Sequence, residues 1–236
     1  MAKNKEIKNE KKSKTKLIIF ISVCVLLLVS IGFNIYFLTK DCDNEPTGLN
    51  PYQYTEKKPV LYIYPKKNKT KVTVTFDNPD LLTTTYPKYK GSWEVTAYPN
   101  GDLYDKDNKY YYGLYWEEKL NHRVNFNEGF YVTKDNAIDF LEEKLSYIGL
   151  NDRERNEFIM YWLPILEKNG KNLVYFELTE ERNKNSKINI SPNVDSILRI
   201  AIHVKKVNSE VNIKEEKLTR FKRVGFTAVE WGGVMY

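Results

Sequence analysis

Apolar residues fall along this chain in three patterns: one long unbroken run, several short alternating stretches, and two stretches with helical spacing. The run is Leu17 to Leu38, 22 residues without a charged side chain. A helix of that length reaches ~33 Å, enough to cross a hydrocarbon core of ~30 Å. Ser22, Ser30 and Asn34 are its clearly polar members. A serine hydroxyl can bond the carbonyl one turn back, and Asn34 and Tyr36 fall near the end where polar and amphipathic groups meet the interface. The pattern predicts a transmembrane helix over 17–38.

The alternating stretches predict strands. Val60 to Tyr64 is apolar on both faces and fenced by Pro59 and Pro65, the pattern of a buried strand. Val72, Val74 and Phe76 alternate with threonines, and Trp93, Val95 and Ala97 repeat the pattern before the turn signal Pro99 to Asp102. Tyr110 to Trp116 reads as one strand, with Tyr112, Leu114 and Trp116 on one face and Tyr111, Gly113 and Tyr115 on the other. Further strands are expected at Leu173 to Leu178, Leu198 to Val204 and Val224 to Trp231.

Helical spacing appears twice between these strands. Ile138, Leu141, Leu145 and Ile148 form one stripe, with Thr133 placed to cap it and Gly149 to end it. Asn151 and Glu154 have the spacing of a capping box for a second helix, whose stripe is Phe158, Ile159, Trp162 and Ile165. Pro164 lacks the donor for a bond four residues back, so a kink or stop is expected near Met160 to Leu163. The short connection predicts an αα-hairpin. Strands, a helical pair, then strands again argue for an α+β domain with a mainly antiparallel sheet.

Charge orients the run. Residues 1–16 hold seven Lys and two Glu, whereas Asp41, Asp43 and Glu45 follow the run closely. The positive-inside rule puts the N-terminus in the cytoplasm and the rest outside. The expected organisation is a basic cytoplasmic tail over 1–16, the membrane helix over 17–38, a polar linker over 39–57, and an extracytoplasmic domain over 58–236, with order beginning near Pro59. A cleaved signal peptide is the rival, since Ser30 and Gly32 have cleavage-site spacing, but Phe33 to Leu38 stays apolar beyond it. Lipid attachment at Cys24 is disfavoured because Val23 is not small and the apolar run continues.

The tail also accounts for the charge. It carries +5 of the formal +6, so the remainder stands at +1. A nearly neutral domain lacks the electrostatic footprint of a nucleic-acid partner. The bilayer is the expected partner of residues 17–38, with an envelope polymer or protein as a further ligand. The two cysteines, Cys24 and Cys42, lie in and just outside the run. The domain therefore has neither a disulfide framework nor a thiolate metal site.

The catalytic signatures H-E-x-x-H, G-x-S-x-G and the P-loop are absent. His122 and His203 are the only histidines: His122 follows an aromatic strand in a loop, and His203 falls on the polar face of its strand, where a solvated side chain is expected. No metal or cofactor is expected. Among the acids, Glu230 continues the alternation of Val224, Phe226 and Ala228 and should point coreward, where burial raises a carboxyl unless it is paired. Glu230 with Glu117 or Glu157 is the candidate pair of acids for hydrolysis of the glycoside-hydrolase kind, with His122 as a further candidate base. Tyr115, Trp116 and Trp231 are candidates for a stacking platform, against the alternative that they are core.

Several segments together resemble an uncharacterised bacterial domain family: Lys58 to Pro65 (KPVLYIYP), Gly91 to Ala97 (GSWEVTA), Tyr161 to Leu166 (YWLPIL), Asn172 to Phe176 (NLVYF) and Gly225 to Gly233 (GFTAVEWGG). The resemblance spans about residues 57–236. It implies an envelope domain behind a signal or anchor segment, largely in Gram-positive anaerobes, and brings no established activity. The expectation is a membrane-anchored binding or structural module at the cell envelope, with an envelope hydrolase using a carboxylate pair as the alternative.

Overall fold

The computed structural model describes residues 54–236, together with two helical residues of the apolar run, Leu26 and Ser30. The basic tail, the rest of the expected membrane helix, residues 39–53 of the expected linker, and both cysteines lie outside the described residues. Among the described residues no helix is long and apolar enough to cross a membrane.

The domain is α+β, with mainly antiparallel sheets and few helices. The larger sheet has eight strands in the spatial order β12 (Lys214–Glu215), β8 (Glu128–Thr133), β9 (Lys171–Leu178), β11 (Ser196–Lys206), β13 (Thr227–Met235), β1 (Tyr54–Tyr64), β7 (Leu114–Leu120) and β3 (Leu82–Tyr86). Only β11/β13 and β12/β8 run parallel in it. A second sheet of five antiparallel strands is ordered β10 (Ile188–Ser191), β2 (Thr70–Phe76), β4 (Trp93–Ala97), β5 (Leu103–Tyr104) and β6 (Tyr110–Tyr111). The helices are α1 (Ala137–Ile148), α2 (Asp152–Asn169) and α3 (Thr179–Asn185).

The larger sheet is a shared wall between two cores. Val60 and Tyr62 of β1, Val229 and Trp231 of β13, and Leu198 to Val204 at alternate positions of β11 pack with α1 and α2. Leu61 and Ile63, Leu114 and Trp116, and Ala228 instead pack with Val72, Val74, Trp93 and Val95 of the second sheet. A strand buried on both faces reads as continuously apolar, which is why Val60 to Tyr64 has no charged member. The chain thus forms three layers: helix pair, large sheet, small sheet.

Several local expectations change. β1 begins at Tyr54, inside the stretch expected as linker. Tyr110 to Trp116 is not one strand: β6 and β7 belong to different sheets, and the break at Tyr112–Gly113 buries Tyr111 with Leu114 and Trp116 while Tyr112 stays exposed. Gly113 is tight there, since a Cβ would lie 2.9 Å from Val60 Cγ2. The cap of α1 is Asn136 rather than Thr133, whose N–H and hydroxyl both bond Asn136 Oδ1. Ile138 is exposed and Ala137 takes its place in the core. The Asn151–Glu154 capping box is present. Helix α2 runs through the exposed Pro164 to Asn169 without stopping.

Candidate functional site

Ionisable side chains cross the middle of the large sheet on the face turned away from α1 and α2. On β11, Leu198, Ile200, Ile202 and Val204 feed the helix-side core, so Arg199 and His203 point the other way. Arg199 stands in register with Glu230 of β13, Glu56 of β1 with Glu118 of β7, and Ala201 with Glu177 of β9. Helix α3 lies against β9 and β11, tied by the Arg199 N–H to Thr179 Oγ1 at 2.9 Å, and drives Arg182 into the centre. Glu56, Glu177, Arg182, Arg199, His203 and Glu230 are all fully buried.

Arg182 is the hub. Its Nη2 donates to Glu56 at 2.8 Å and to Glu230 at 2.7 Å, and its Nε donates to Glu230 at 3.2 Å. Its Nη1 approaches Glu177 Oε2 at 3.8 Å. Arg199 Nε donates to Glu230 at 2.7 Å, while its Nη1 reaches Asn183 Oδ1 at 2.9 Å and the Ser186 carbonyl. Ser186 in turn donates to Glu118. Burial alone would push Glu230 upward, but the two guanidiniums outweigh it and hold the carboxyl below its ordinary value. Glu56 goes the other way: burial, helped by Glu230 and Glu118, raises it well above the usual range against the pull of Arg182.

The histidines converge at one end of this belt. His203 Nε2 lies 3.1 Å from Glu177 Oε2, and its Nδ1 lies 2.9 Å from the Tyr236 hydroxyl. His122 Nε2 lies 3.2 Å from Glu177 Oε1, and Asn185 Nδ2 donates to that same oxygen at 2.7 Å. One ligating atom each from His122, Glu177 and His203 fall within 4.8 Å of one another. Burial pushes Glu177 upward, yet the imidazole contacts and Arg182 together hold it far below an ordinary carboxylate. Sequence pattern placed His203 on a solvated face; that face is instead covered, and the side chain is fully buried.

The opposite face of the same sheet carries a different site. Tyr115 and Glu117 of β7 alternate with the buried Trp116 and Glu118, so they emerge on the side of α2. There they line a groove of about 600 Å³ with Lys58, Val60, Tyr86, Tyr110, Tyr111, Tyr112, Gly113 and Tyr161. An adjoining hollow of about 420 Å³ shares Lys58, Tyr112 and Tyr161 and adds Arg153, Glu157 and Met160. Cations sit over the rings: Lys58 Nζ 5.6 Å from Tyr115, Lys109 Nζ 5.4 Å from both Tyr86 and Tyr111, and Arg153 5.1 Å from Tyr112. Glu117 receives Lys57 at 3.2 Å, and Glu157 receives Tyr62 at 2.8 Å and Arg153 at 3.3 Å. Burial, then the neighbouring Glu117, raises the phenols of Tyr115 and Tyr161.

The residues singled out from sequence therefore separate. Tyr115, Glu117 and Glu157 border the tyrosine trough. Trp116 and Trp231 are fully buried and carry no surface. Trp231 packs against Phe158 at 5.1 Å and donates its Nε1 to Tyr62 at 3.2 Å, so it belongs to the helix-side core. Glu230 points inward as its alternation implied, but among arginines and away from both Glu117 and Glu157. His122 joins His203, not the acids. Sequence reasoning passed over Glu56, Glu177, Arg182 and Arg199. Glu177 in the otherwise apolar Leu173 to Leu178, and Arg199 with His203 in the apolar Leu198 to Val204, were the available signals. A charged group inside a strand buried on its other face needs a partner.

Comparison of the chain with known protein families, with curated proteins and with solved structures gave no match.

Proposed function

We propose that this chain is a single-pass envelope protein whose α+β domain is a glycan-binding module, facing outward from a helix over residues 17–38. The observation that carries the binding assignment is the tyrosine trough, where Tyr112, Tyr115 and Tyr161 stand between Lys58, Glu117 and Glu157. Aromatic faces carry partial negative charge and attract the polarised C–H face of a sugar ring, while phenol, ammonium and carboxylate groups bond its hydroxyls. Concave sites of a few hundred Å³ with apolar walls and a few polar groups are the usual shape of a ligand pocket. The charge-free run, the lysine tail and the resemblance of residues 57–236 to an envelope domain family support the same compartment.

The hydrolase alternative narrows to Glu117 and Glu157, because Glu230 is enclosed by Arg182 and Arg199. Binding remains ahead because both acids are already engaged, one by Lys57 and the other by Tyr62 and Arg153.

The test is a sedimentation assay of the full chain in detergent with purified cell-wall glycan, comparing Tyr115→Ala and Tyr161→Ala with the parent. Loss of tenfold or more in affinity at an unchanged thermal midpoint is expected. Parent-like binding by both variants would remove the trough from the reading. Release of soluble sugar by the parent, abolished in Glu117→Gln, would favour the hydrolase.

A further inference from the structure

The cluster at the end of the ionic belt plays no part in the trough. It lies on the other face of the large sheet, and its side chains do not behave as an ordinary ion pair. His122 is the anomaly. Among the described residues neither of its ring nitrogens has an aligned hydrogen-bond partner, although both are shielded from solvent. Its Nε2 is near Glu177 Oε1 in distance without hydrogen-bond alignment. Shielded polar nitrogens without partners are costly, and native structures contain few of them.

One ligating atom each from His122, Glu177 and His203 lie within 4.8 Å of one another, close enough for small side-chain movements to draw them onto one ion. Imidazole nitrogens and carboxylate oxygens bind zinc at ~2.0–2.2 Å, so tetrahedral neighbours stand ~3.3 Å apart. The two imidazoles approach separate oxygens of Glu177 at 3.1 Å and 3.2 Å. Tyr236 engages the far nitrogen of His203 at 2.9 Å, which leaves Nε2 facing the cluster. Metal-bound histidines are held in this way through their second nitrogen. Asn185 donates to Glu177 Oε1, the oxygen nearer His122, and so fixes the carboxylate. His122 keeps 19% of its side chain exposed, so the cluster lies close to the surface.

We propose that His122, Glu177 and His203 form a binding site for one divalent transition-metal ion of the zinc class. Two imidazoles with one carboxylate select such ions over calcium and magnesium, which prefer all-oxygen shells.

The experiment uses the full chain in detergent, stripped of metal and titrated with Zn²⁺ by calorimetry, and with Co²⁺ by visible absorption. One equivalent of each is expected, with the intense d–d bands of low-coordinate cobalt, and Zn²⁺ should raise the thermal midpoint. His122→Ala, on the segment after β7, should abolish the bands and the thermal response while keeping the metal-free midpoint within a few degrees. Tyr236→Phe should keep the stoichiometry but weaken Zn²⁺ affinity ~10–100-fold, the usual cost of losing such an outer partner. Absence of binding in the parent would overturn the proposal. So would unchanged binding in His122→Ala, since the metal would then be held elsewhere, for example by Cys42.

Discussion

At the scale of single residues, Arg182 is the side chain on which most depends. Among the described residues it is the one cation touching Glu56, Glu177 and Glu230 together. Breaking a buried pair by removing one partner costs roughly 3–5 kcal/mol, because the other charges are left uncompensated. Arg182→Leu should therefore lose at least that much in denaturant unfolding, a large share of the ~5–15 kcal/mol typical of a domain. A loss under ~1 kcal/mol would mean that the belt is solvated. Glu216 offers a second test with a definite sign. Burial, aided by Glu128 and Glu181 and opposed by the Phe176 N–H, moves its carboxyl from the usual 4.5 up to about 8. Between those values the folded protein holds a proton that the unfolded chain releases, so stability should fall as pH rises through that window. A tenfold change in proton affinity is worth about 1.4 kcal/mol, which bounds the loss at a few kcal/mol. Glu216→Gln can still accept from the Phe176 N–H but does not titrate. Its stability relative to the parent should climb from pH 5 to pH 8, and parallel curves would refute the assignment.

At the scale of elements, α2 departs from its expected stop because packing overrides local preference. Phe158, Trp162 and Leu166 are fully buried against the large sheet on either side of Pro164. Gly233 permits that approach, since a Cβ there would lie 2.5 Å from Trp162 Cζ2 and would also strike the Ile202 carbonyl. Proline in a helix interior costs ~3 kcal/mol, partly offset by the stiffness it gives the unfolded chain. Pro164→Ala, at an exposed position, should stabilise the domain by ~1–2 kcal/mol in thermal or denaturant unfolding; destabilisation would show that the ring itself packs. Elements with a strong period were legible: the strands around Val60, Val72, Trp93, Leu173 and Leu198, and both helices of the pair. Short or polar ones were not. β3 is Leu-Thr-Thr-Thr-Tyr and α3 is Thr-Glu-Glu-Arg-Asn-Lys-Asn, and neither has an apolar face to betray it. Missing α3 meant missing the cover over Arg199, and the contacts of His203 with Tyr236 and His122 were equally invisible, which is why a buried ionic belt read as a solvated face. The trough was half legible, through Tyr115 and Glu117, because strand alternation shows which residues share a face but not which helix approaches it.

At the scale of the whole molecule, one sheet separates two candidate sites and β7 contributes to both sides. Tyr115 and Glu117 face the trough, while Trp116 and Glu118 face the second sheet and the belt. His122 lies two residues beyond the end of β7. Communication between the sites would have to pass through β7 or the apolar wall of β1, β13 and β11, which is packed on both faces. A close-packed wall with a single arrangement transmits little coupling, because coupling requires an element with two states that both sites bias. Tyr115→Ala and His122→Ala share no partner in the structure, so their effects on stability should add to within about 0.5 kcal/mol. A thermodynamic cycle over the two single variants and the double variant measures this, with unfolding followed at several pH values. The same set of proteins extends the test to function: His122→Ala should bind cell-wall glycan like the parent, and Tyr115→Ala should take up Co²⁺ like the parent. An interaction energy above ~1 kcal/mol, or a cross-effect in either binding assay, would show that β7 shifts as a lever between the two faces rather than standing as a fixed wall.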